Sequence, residues 1–444
     1  MATTKIIVLD DDPTGSQTVH GCLLLTRWDI ATLKEALADS APLFFVLTNT
    51  RGMSAERASA VTREVCRNLK QALAGEDIHP LFVSRSDSTL RGHYPVETDV
   101  MAEELGPFDA HFLVPAFFEG GRITRDSVHY LRVDGKETPV HETEFARDSV
   151  FGYRHSYLPD YVEEKTAGRI QAAQVERFRL ADLRAGVYQR LLGLGGNACG
   201  VVDAETQDDL NRFAADLLKA AATGKRFLFR SAASLLTALA KLPPQPVSPV
   251  QMAEYVRDGK PGAVIVGSHV PKTTRQLHEL LRVPGAEPIE VDVNRLPQDH
   301  VALLAEVLAR AEAAHHAGKT AVIFTSRSER QFADQQARLT FGEQVSGFLM
   351  DVVRGLPKTL GFLVSKGGIT SNDVLSTGLA LRTARLLGQI LPGVSVVRCP
   401  KAHARYPEMP VVIFPGNVGD DRALATVLER LLATGTPARD SVRA

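Results

Sequence analysis

The sequence predicts an α/β protein with two doubly wound domains and mostly parallel sheets. Short apolar runs rich in β-branched residues alternate with longer segments of helical periodicity, and this series occurs twice. Between the series, residues 242–250 (LPPQPVSPV) hold four prolines in nine positions, which a helix or a central strand cannot accommodate. We therefore expect domains at 1–241 and 251–444, joined by a linker at 242–250.

In the first domain the periodicity predicts strands at 6–9, 43–47, 81–83, 112–114 and 201–202, and helices at 55–73, 96–105 and 208–222. Thr206 followed by Asp209 resembles a capping box and indicates a helix start. Residues 115–165 show weak periodicity and are rich in Gly, Asp, His, Tyr and Arg. We expect them to form either an inserted segment that contributes to the active site or an elaboration of the surface.

In the second domain the same criteria predict strands at 263–266, 321–324, 362–364, 394–397 and 411–414, and helices at 272–281, 300–317, 371–387 and 422–433.

The 444 residues carry 51 basic and 52 acidic side chains, so the net charge does not indicate a nucleic-acid or membrane partner. The four cysteines form no CxxC pair, which argues against a disulfide framework or a zinc site. With no signal-peptide pattern at the N-terminus, we expect a cytoplasmic protein.

The first predicted strand ends in three carboxylates, Asp10, Asp11 and Asp12, followed by PTG. Ligands bind at the carboxyl ends of strands in open α/β sheets. Carboxylates there could act as a general base, a magnesium-linked ligand or a hydroxyl acceptor. The alternative is an ordinary acidic turn, because Asp, Pro and Gly are common turn residues.

Two more strands of this domain end in polar clusters, TNTRG with Arg51 and SRSDSTLRG with Asp87, Ser88 and Arg91. Arginine holds a carboxylate bidentately, and hydroxyls together with Asp87 could hold a polyol. Each cluster alone fits an exposed loop. Because parallel strands would bring all three to one sheet edge, they predict a small-molecule site.

In the second domain the strand at 362–364 is followed by SKGGITSN, with Gly367 and Gly368 before the residue Thr370 that opens a predicted helix. Glycines let the backbone approach an anion, and a helix N-terminus supplies free N–H groups. Similar turns follow the strands at 263–266 (GSHVPKT) and 411–414 (PGNVGDD). They predict a phosphate site, although Gly-rich turns are common in any doubly wound sheet.

Two further motifs imitate nucleotide-binding signatures, AGKT at 317–320 and GLGGNA at 193–198. Each is predicted to follow a helix and precede a strand. A P-loop and a dinucleotide fingerprint both require the opposite order. We therefore reject both as binding motifs.

Taken together, DDPTG, TNTR, SDSTLRG, the glycine pair with Thr370, and FPGNVGDD resemble the four-carbon acid sugar kinases, which act on threonate, erythronate and 3-oxo-tetronate. The motifs occur in the family's order over nearly the whole chain. The resemblance implies a sugar-acid-binding N-terminal domain, a nucleotide-binding C-terminal domain and an active site in the interdomain cleft. It also implies ATP and Mg²⁺ as cofactors and a small sugar acid as substrate, and it leaves a homodimer open.

Carried over residue by residue, the resemblance implies three groups of site residues: catalytic Asp11 and Asp12; substrate-binding Arg51, Asp87, Ser88 and Arg91; and nucleotide-binding Ser268, Gly367, Gly368, Ile369, Thr370 and Gly416. It identifies no metal ligands. Asp12 or Asp11 would accept the proton of the attacking hydroxyl, and Arg51 or Arg91 would hold the substrate carboxylate.

The sequence departs from the family pattern at Ile369, which replaces an acidic residue, and at the PGNVG turn. The insertion after residue 113 indicates a distinct subgroup, so the particular acid stays open. Two other classes also stay open. One is a dinucleotide-dependent oxidoreductase, and the other is a non-catalytic regulatory protein that binds a sugar acid and a nucleotide.

Overall fold

The computed structural model describes residues 3–133, 135–268, 270–327, 335–416 and 418–433. The chain divides into two compact units, Met1–Pro243 and Pro244–Ala444, and this division falls within the proline-rich segment. Position 269 of the GSHVPKT turn and position 417 of the PGNVGDD turn lie outside the described residues. No helix within the described ranges combines the length and apolarity needed to cross a membrane.

The N-terminal unit is built on a sheet of eight parallel strands, with a separate three-stranded sheet. Its strands are β1 (Thr3–Asp10), β2 (Leu23–Leu25), β3 (Leu43–Leu47), β4 (Ile78–Arg85), β5 (Ala110–Val114), β6 (Arg122–Arg125), β7 (Val128–Val133), β8 (Lys136–Pro139), β9 (Glu176–Phe178), β10 (Ala198–Val202) and β11 (Phe227–Ser231). Its helices are α1 (Ile30–Ala38), α2 (Ala55–Leu73), α3 (Val96–Leu105), α4 (Leu158–Lys165), α5 (Leu180–Ala185), α6 (Tyr188–Gly193), α7 (Gln207–Ala221) and α8 (Ala233–Ala240).

The parallel strands follow the order β2-β3-β1-β4-β11-β5-β10-β9. In this register Asp10, the last residue of β1, lies level with Leu47 of β3 and Arg85 of β4. The residues that follow these three strands therefore leave the sheet at one edge. Apolar residues at helical spacing on α2, such as Val65 and Leu69, belong to the core cluster beneath that part of the sheet.

Residues 115–165 contain the antiparallel sheet β6-β7-β8 and helix α4. The capping box at the start of α7 is confirmed, because the Thr206 hydroxyl and the Asp209 carboxylate each bond the other's backbone N–H. The rejected motifs lie between a helix and a strand, as expected: α6 ends at Gly193 before β10. All four cysteines are buried and free.

The C-terminal unit contains a seven-stranded sheet in the order β13-β14-β12-β15-β18-β17-β16. Its strands are β12 (Ala263–Val266), β13 (Ala286–Val291), β14 (Thr320–Thr325), β15 (Leu363–Lys366), β16 (Thr383–Leu391), β17 (Val394–Arg398) and β18 (Pro410–Phe414), and its helices are α9 (Pro271–Leu280), α10 (Leu296–His316), α11 (Gln335–Gly355), α12 (Gly368–Asp373) and α13 (Ala423–Leu432). The first five strands in the order are parallel, and β17 is antiparallel to both neighbours. The α/β class with mostly parallel sheets is thus confirmed.

The predicted helix at 371–387 is wrong. Helix α12 ends at Asp373, a π-helical segment follows at Val374–Gly378, and the chain then forms β16. Most of β16 is buried, so its apolar residues do not alternate with polar ones and were read as one face of a helix. Gly378 inside the predicted helix and Gly388 directly after its end are poor helix formers and were the signal against it.

Candidate active site

Polar side chains follow β1, β3 and β4 at one edge of the N-terminal sheet, and backbone hydrogen bonds link their loops. Asp11 N donates to the Arg85 carbonyl at 3.3 Å, and Arg51 N donates to the Asp11 carbonyl at 3.2 Å. We call Asp11, Asp12, Arg51 and the 87–91 loop the N-terminal site. The structure thus brings together the residues that the sequence predicted on this unit.

Arg51 contacts both predicted catalytic carboxylates. Its Nη2 donates to Asp11 Oδ1 at 2.5 Å and its Nε to Asp11 Oδ2 at 3.2 Å, while Nη1 donates to Asp12 Oδ2 at 3.2 Å. Ser86 Oγ adds a bond to Asp11 Oδ2 at 2.7 Å. Both oxygens of Asp11 are therefore occupied by protein donors.

Asp12 is the more accessible carboxylate, with 20% of its side chain exposed against 1% for Asp11. Its Oδ1 accepts from Thr14 N at 2.8 Å and from the Thr14 hydroxyl, which fixes the side chain. Burial acts to raise its pKa, but Arg51 and the bonds from Thr14 bring the pKa below its ordinary value. Asp12 is therefore ionised at neutral pH.

Asp10 is a third carboxylate of the same turn and is fully buried. Arg85 Nη1 lies 3.3 Å from its Oδ1, whereas Oδ2 has no hydrogen-bond partner in the described structure. Burial raises its pKa to about 7, against the opposing charge of Arg85. We infer that Asp10 supports the turn rather than contacting a ligand, because its side chain does not reach solvent.

A buried network beneath the site was not predicted from the sequence. Arg230 of β11 donates to Glu97 Oε2 at 2.5 Å, to Ser84 Oγ at 2.7 Å and to Ser86 Oγ at 2.6 Å. Since Ser86 in turn bonds Asp11, this network fixes the turn after β1 from below. The sequence signal was an arginine inside the apolar strand FLFRS, which requires a buried counter-charge.

The 87–91 loop carries the predicted polyol-binding residues. Asp87 Oδ2 accepts from Arg91 Nε at 2.7 Å and from the Thr89 hydroxyl. Burial acts to raise the pKa of Asp87, but Arg51 and Arg91 together hold it well below its ordinary value. Arg91 also lies over the Phe145 ring, at 4.9 Å from its centroid. Asp87 is thus an ionised acceptor.

Three side chains of the 115–165 segment bond consecutive carbonyls of this loop. His129 Nε2 donates to the Ser88 carbonyl at 2.7 Å, Tyr153 OH to that of Thr89 at 2.7 Å, and Tyr161 OH to that of Leu90 at 2.8 Å. Burial lowers the pKa of His129 to about 4, so the ring is neutral. Of the two alternatives, the segment therefore packs on the site rather than only elaborating the surface.

In the C-terminal unit the predicted nucleotide-binding residues follow β12, β15 and β18, and we call them the C-terminal site. Gly367 has φ +113, a conformation that favours glycine, and its N–H donates to the Phe414 carbonyl at 2.8 Å. A Cβ on Gly367 would lie 3.5 Å from Thr370 Oγ1 and 3.9 Å from Ser268 Cβ. The turns after β12 and β15 therefore meet.

The remaining predicted residues border this turn. Gly368 and Thr370 are partly exposed, and Ile369 is 74% exposed. At Gly416 no atom of the described residues lies within 4 Å of the position that a Cβ would take, its chain neighbours aside. α12 is shorter than the helix predicted there, with six residues before the π-helical segment.

Lys366 lies beneath the turn and points away from solvent. Its Nζ donates to the Pro415 carbonyl at 2.6 Å and to the Gly416 carbonyl at 3.0 Å, and it lies 4.3 Å from the centroid of the Phe414 ring. Burial, reinforced by the charge of Lys272, lowers its pKa to about 7. Lys366 is therefore placed to fix the turn after β18 rather than to reach a ligand.

Arg327, just after β14, was missed by the sequence reasoning. Its Nη2 donates to the Ser268 carbonyl and to Thr274 Oγ1 at 3.1 Å, while its Nε and Nη1 are buried and have no partner among the residues that the structure describes. Burial lowers its pKa, against the charge of Glu290. Such a cation beside a glycine turn fits a phosphate.

Among the described residues, no group of three or more His, Cys, Asp or Glu could hold a metal ion.

Comparison with known proteins assigns both units. Residues 6–239 match a family model described as a sugar-binding N-terminal domain, and residues 263–424 match one described as a nucleotide-binding C-terminal domain. The chain therefore combines a sugar-binding with a nucleotide-binding domain. It belongs to the four-carbon acid sugar kinase family.

Curated relatives agree at low identity. The chain is 29% identical to a D-erythronate kinase of Heliobacterium modesticaldum over 48% of the chain and 47% of that protein. It is 26% identical to a D-threonate kinase of Salmonella typhimurium over 96% of the chain and 97% of that protein. The first match thus spans about half the length of the relative. The crystal structure of a Haemophilus influenzae protein superposes on this structure with a TM-score of 0.66 at 16% sequence identity. The match covers 96% of this chain and 100% of that chain and shows the fold.

Proposed function

We propose that the protein is an ATP-dependent kinase that phosphorylates a hydroxyl of a small, four-carbon sugar acid. The cluster of Asp11, Asp12 and Arg51 is the observation that carries this proposal. It holds one partly exposed, ionised carboxylate in a fixed position at the carboxyl end of β1. The relatives named as kinases of D-erythronate and D-threonate support the substrate class.

Asp12 is the proposed acceptor of the proton of the attacking hydroxyl. Phosphoryl transfer depends mainly on positioning and on charge neutralisation, so a carboxylate with a low pKa suffices. Arg51 holds Asp12 from one side and Thr14 from the other, which leaves little freedom for the side chain. Asp11, whose oxygens are occupied, holds Arg51 in place. Asp87 and the 87–91 loop would bind the hydroxyls of the acceptor.

The C-terminal site fits a nucleotide. Ser268, Gly367, Gly368, Ile369, Thr370 and Gly416 would bind ATP. Two nitrogen atoms of Arg327 have no partner in the described part of the chain, and together with the close turns after β12 and β15 they fit a phosphate group. Mg²⁺ would supply charge neutralisation on the phosphates, and it commonly takes few protein ligands at such sites. Direct transfer requires both reactants to share one water-excluded volume.

The test is ADP release from Mg·ATP with a panel of tetronates, 3-oxo-tetronates and related sugar acids, against a control without acceptor. Acceptor-dependent release is the expected result and would identify the substrate. ATP binding without release for any acid would contradict the kinase proposal and favour a non-catalytic binder. Retained NAD(H) after purification would instead favour the oxidoreductase alternative. A homodimer stays a hypothesis, which light scattering tests.

A further inference from the structure

The arginines around the N-terminal site differ in whether a carboxylate contacts the guanidinium group. Four of them have a carboxylate oxygen within 3.3 Å: Arg51 with Asp11, Arg85 with Asp10, Arg91 with Asp87, and Arg230 with Glu97. Arg122 has no carboxylate within 4.0 Å among the residues that the structure describes. It is therefore the guanidinium of this group that no carboxylate of the described residues contacts directly.

Arg122 is also incompletely hydrogen-bonded. Its Nη1 donates to the Gly120 carbonyl, its Nε is buried without a partner, and no hydrogen bond within the described structure involves Nη2. Burial lowers the pKa of Arg122, and the charges that act on it are those of Asp87, Arg91 and Glu144. A partly exposed, desolvated cation close to the 87–91 loop is thus available to an anion.

The hairpin that carries Arg122 has a fixed position on this loop. Thr124, two residues later on β6, bonds His129 Nδ1 at 2.9 Å through its hydroxyl, and His129 Nε2 bonds the Ser88 carbonyl. Side chains two residues apart on a strand share one face. Arg122 therefore lies on the face of β6 that contacts the 87–91 loop.

We propose that Arg122 binds the carboxylate of the sugar acid and so selects the acid over the corresponding neutral polyol. The inference rests on the proposed function and assigns a substrate role to the inserted segment. Arg51 and Arg91, which the sequence predicted for this task, would each have to release an aspartate before they could bind a substrate carboxylate bidentately. Among the described residues, Arg122 has no contacting carboxylate to release.

The variants are Arg122→Met, which keeps an unbranched chain as far as the position of Nε and removes the charge, and Arg122→Lys. The control is Arg132→Gln on β7 of the same small sheet, an exposed arginine that pairs with Glu137. Steady-state kinetics with saturating ATP and calorimetric titration with tetronate alone are measured for each. A melting curve checks folding, which removal of a desolvated cation without a contacting carboxylate should not impair.

We expect Arg122→Met to raise the KM and the Kd for the acid by about 10- to 100-fold, the size of a lost charge-assisted hydrogen bond. Its kcat should change little, Arg122→Lys should recover part of the affinity, and Arg132→Gln should match the wild type. Any activity on the neutral tetritol should be unaffected by Arg122→Met. Unchanged acid affinity, or equal losses for acid and tetritol, would overturn the inference.

The two proposals fail in different ways. A wild-type protein that binds tetronate in the calorimeter but releases no ADP would contradict the kinase function, and the Arg122→Met titration would still decide the binding role. If the wild type and Arg122→Met phosphorylate tetronate equally well, only the proposed binding role of Arg122 would be overturned. A wild-type protein that neither binds nor phosphorylates any sugar acid would overturn both.

Discussion

Arg51 and Asp11 form a side-on pair in which Nη2 lies 2.5 Å from Oδ1 and Nε lies 3.2 Å from Oδ2. The remaining nitrogen, Nη1, reaches Asp12 at 3.2 Å. One arginine thus holds two adjacent carboxylates in different ways. Asp11 is occupied on both oxygens, whereas Asp12 keeps an exposed edge, and on this asymmetry we propose different roles for the two carboxylates.

Asp12→Asn should lower kcat by about 100-fold or more, the usual contribution of general-base catalysis, with little change in the KM for ATP. The amide cannot accept the hydroxyl proton, although it keeps the shape of the side chain. Kinetics with both substrates varied check this. Asp208→Asn, on the exposed start of α7, is the control. Near wild-type turnover of Asp12→Asn would contradict the assignment of Asp12 as the base, and near wild-type turnover of Asp11→Asn as well would exclude both carboxylates.

Gly367→Ala should raise the KM for ATP by at least about 10-fold and leave the KM for the acid unchanged. At φ +113 an L side chain is strained, and relief of this strain would move the turn that meets Ser268. Gly318→Ala is the matched control, because Gly318 has φ +72 but precedes the amino end of β14, away from the strand ends that carry the site. Equal effects of the two substitutions on the KM for ATP would contradict the C-terminal site.

The sequence predicted the parts of the site that follow apolar strands, because such strands and their Gly or Asp turns are local patterns. It did not predict which strands are neighbours. Arg230 bonds Ser84 across 146 residues of chain, and this contact exists because β11 inserts next to β4. Arg327 was missed for the same reason, since it lies in no motif and β14 brings it beside the turn after β12. Arg122 also lies in no motif, and it is placed by the contact of its hairpin with the 87–91 loop through His129.

The error at β16 has a different physical origin. A strand buried on both faces loses its alternation, so residues 383–391 resemble a helical segment in composition. Residues 55–73 were assigned correctly because α2 has one buried and one exposed face, which gives an unambiguous period. Periodicity therefore locates half-buried elements better than fully buried ones.

Lys366→Met should change how stability depends on pH. The folded pKa of Lys366 is about 7, below the ordinary 10.5, so between these values the unfolded chain binds a proton that the folded chain does not. Wild-type stability should therefore increase relative to the variant as pH rises from about 7 towards 10, with a slope of up to about 1.4 kcal/mol per pH unit. Urea unfolding of both proteins at several pH values measures this, and parallel pH profiles would contradict it.

Tyr161→Phe should separate the role of the inserted segment from general stability. The Tyr161 hydroxyl donates to the Leu90 carbonyl, and its loss leaves that buried carbonyl unpaired at a cost of about 1–3 kcal/mol. We expect a lower melting temperature and a higher KM for the sugar acid, because the neighbouring Asp87 and Arg91 depend on the same loop.

The control for this substitution is Tyr406→Phe in the C-terminal unit, where the hydroxyl lies 2.9 Å from the carbonyl oxygens of Val353 and Leu356. It removes a comparable buried bond, so it should also lower the melting temperature, but it should leave the KM for the acid at its wild-type value. If both variants lose stability and neither changes that KM, the inserted segment supports the fold without positioning the substrate loop.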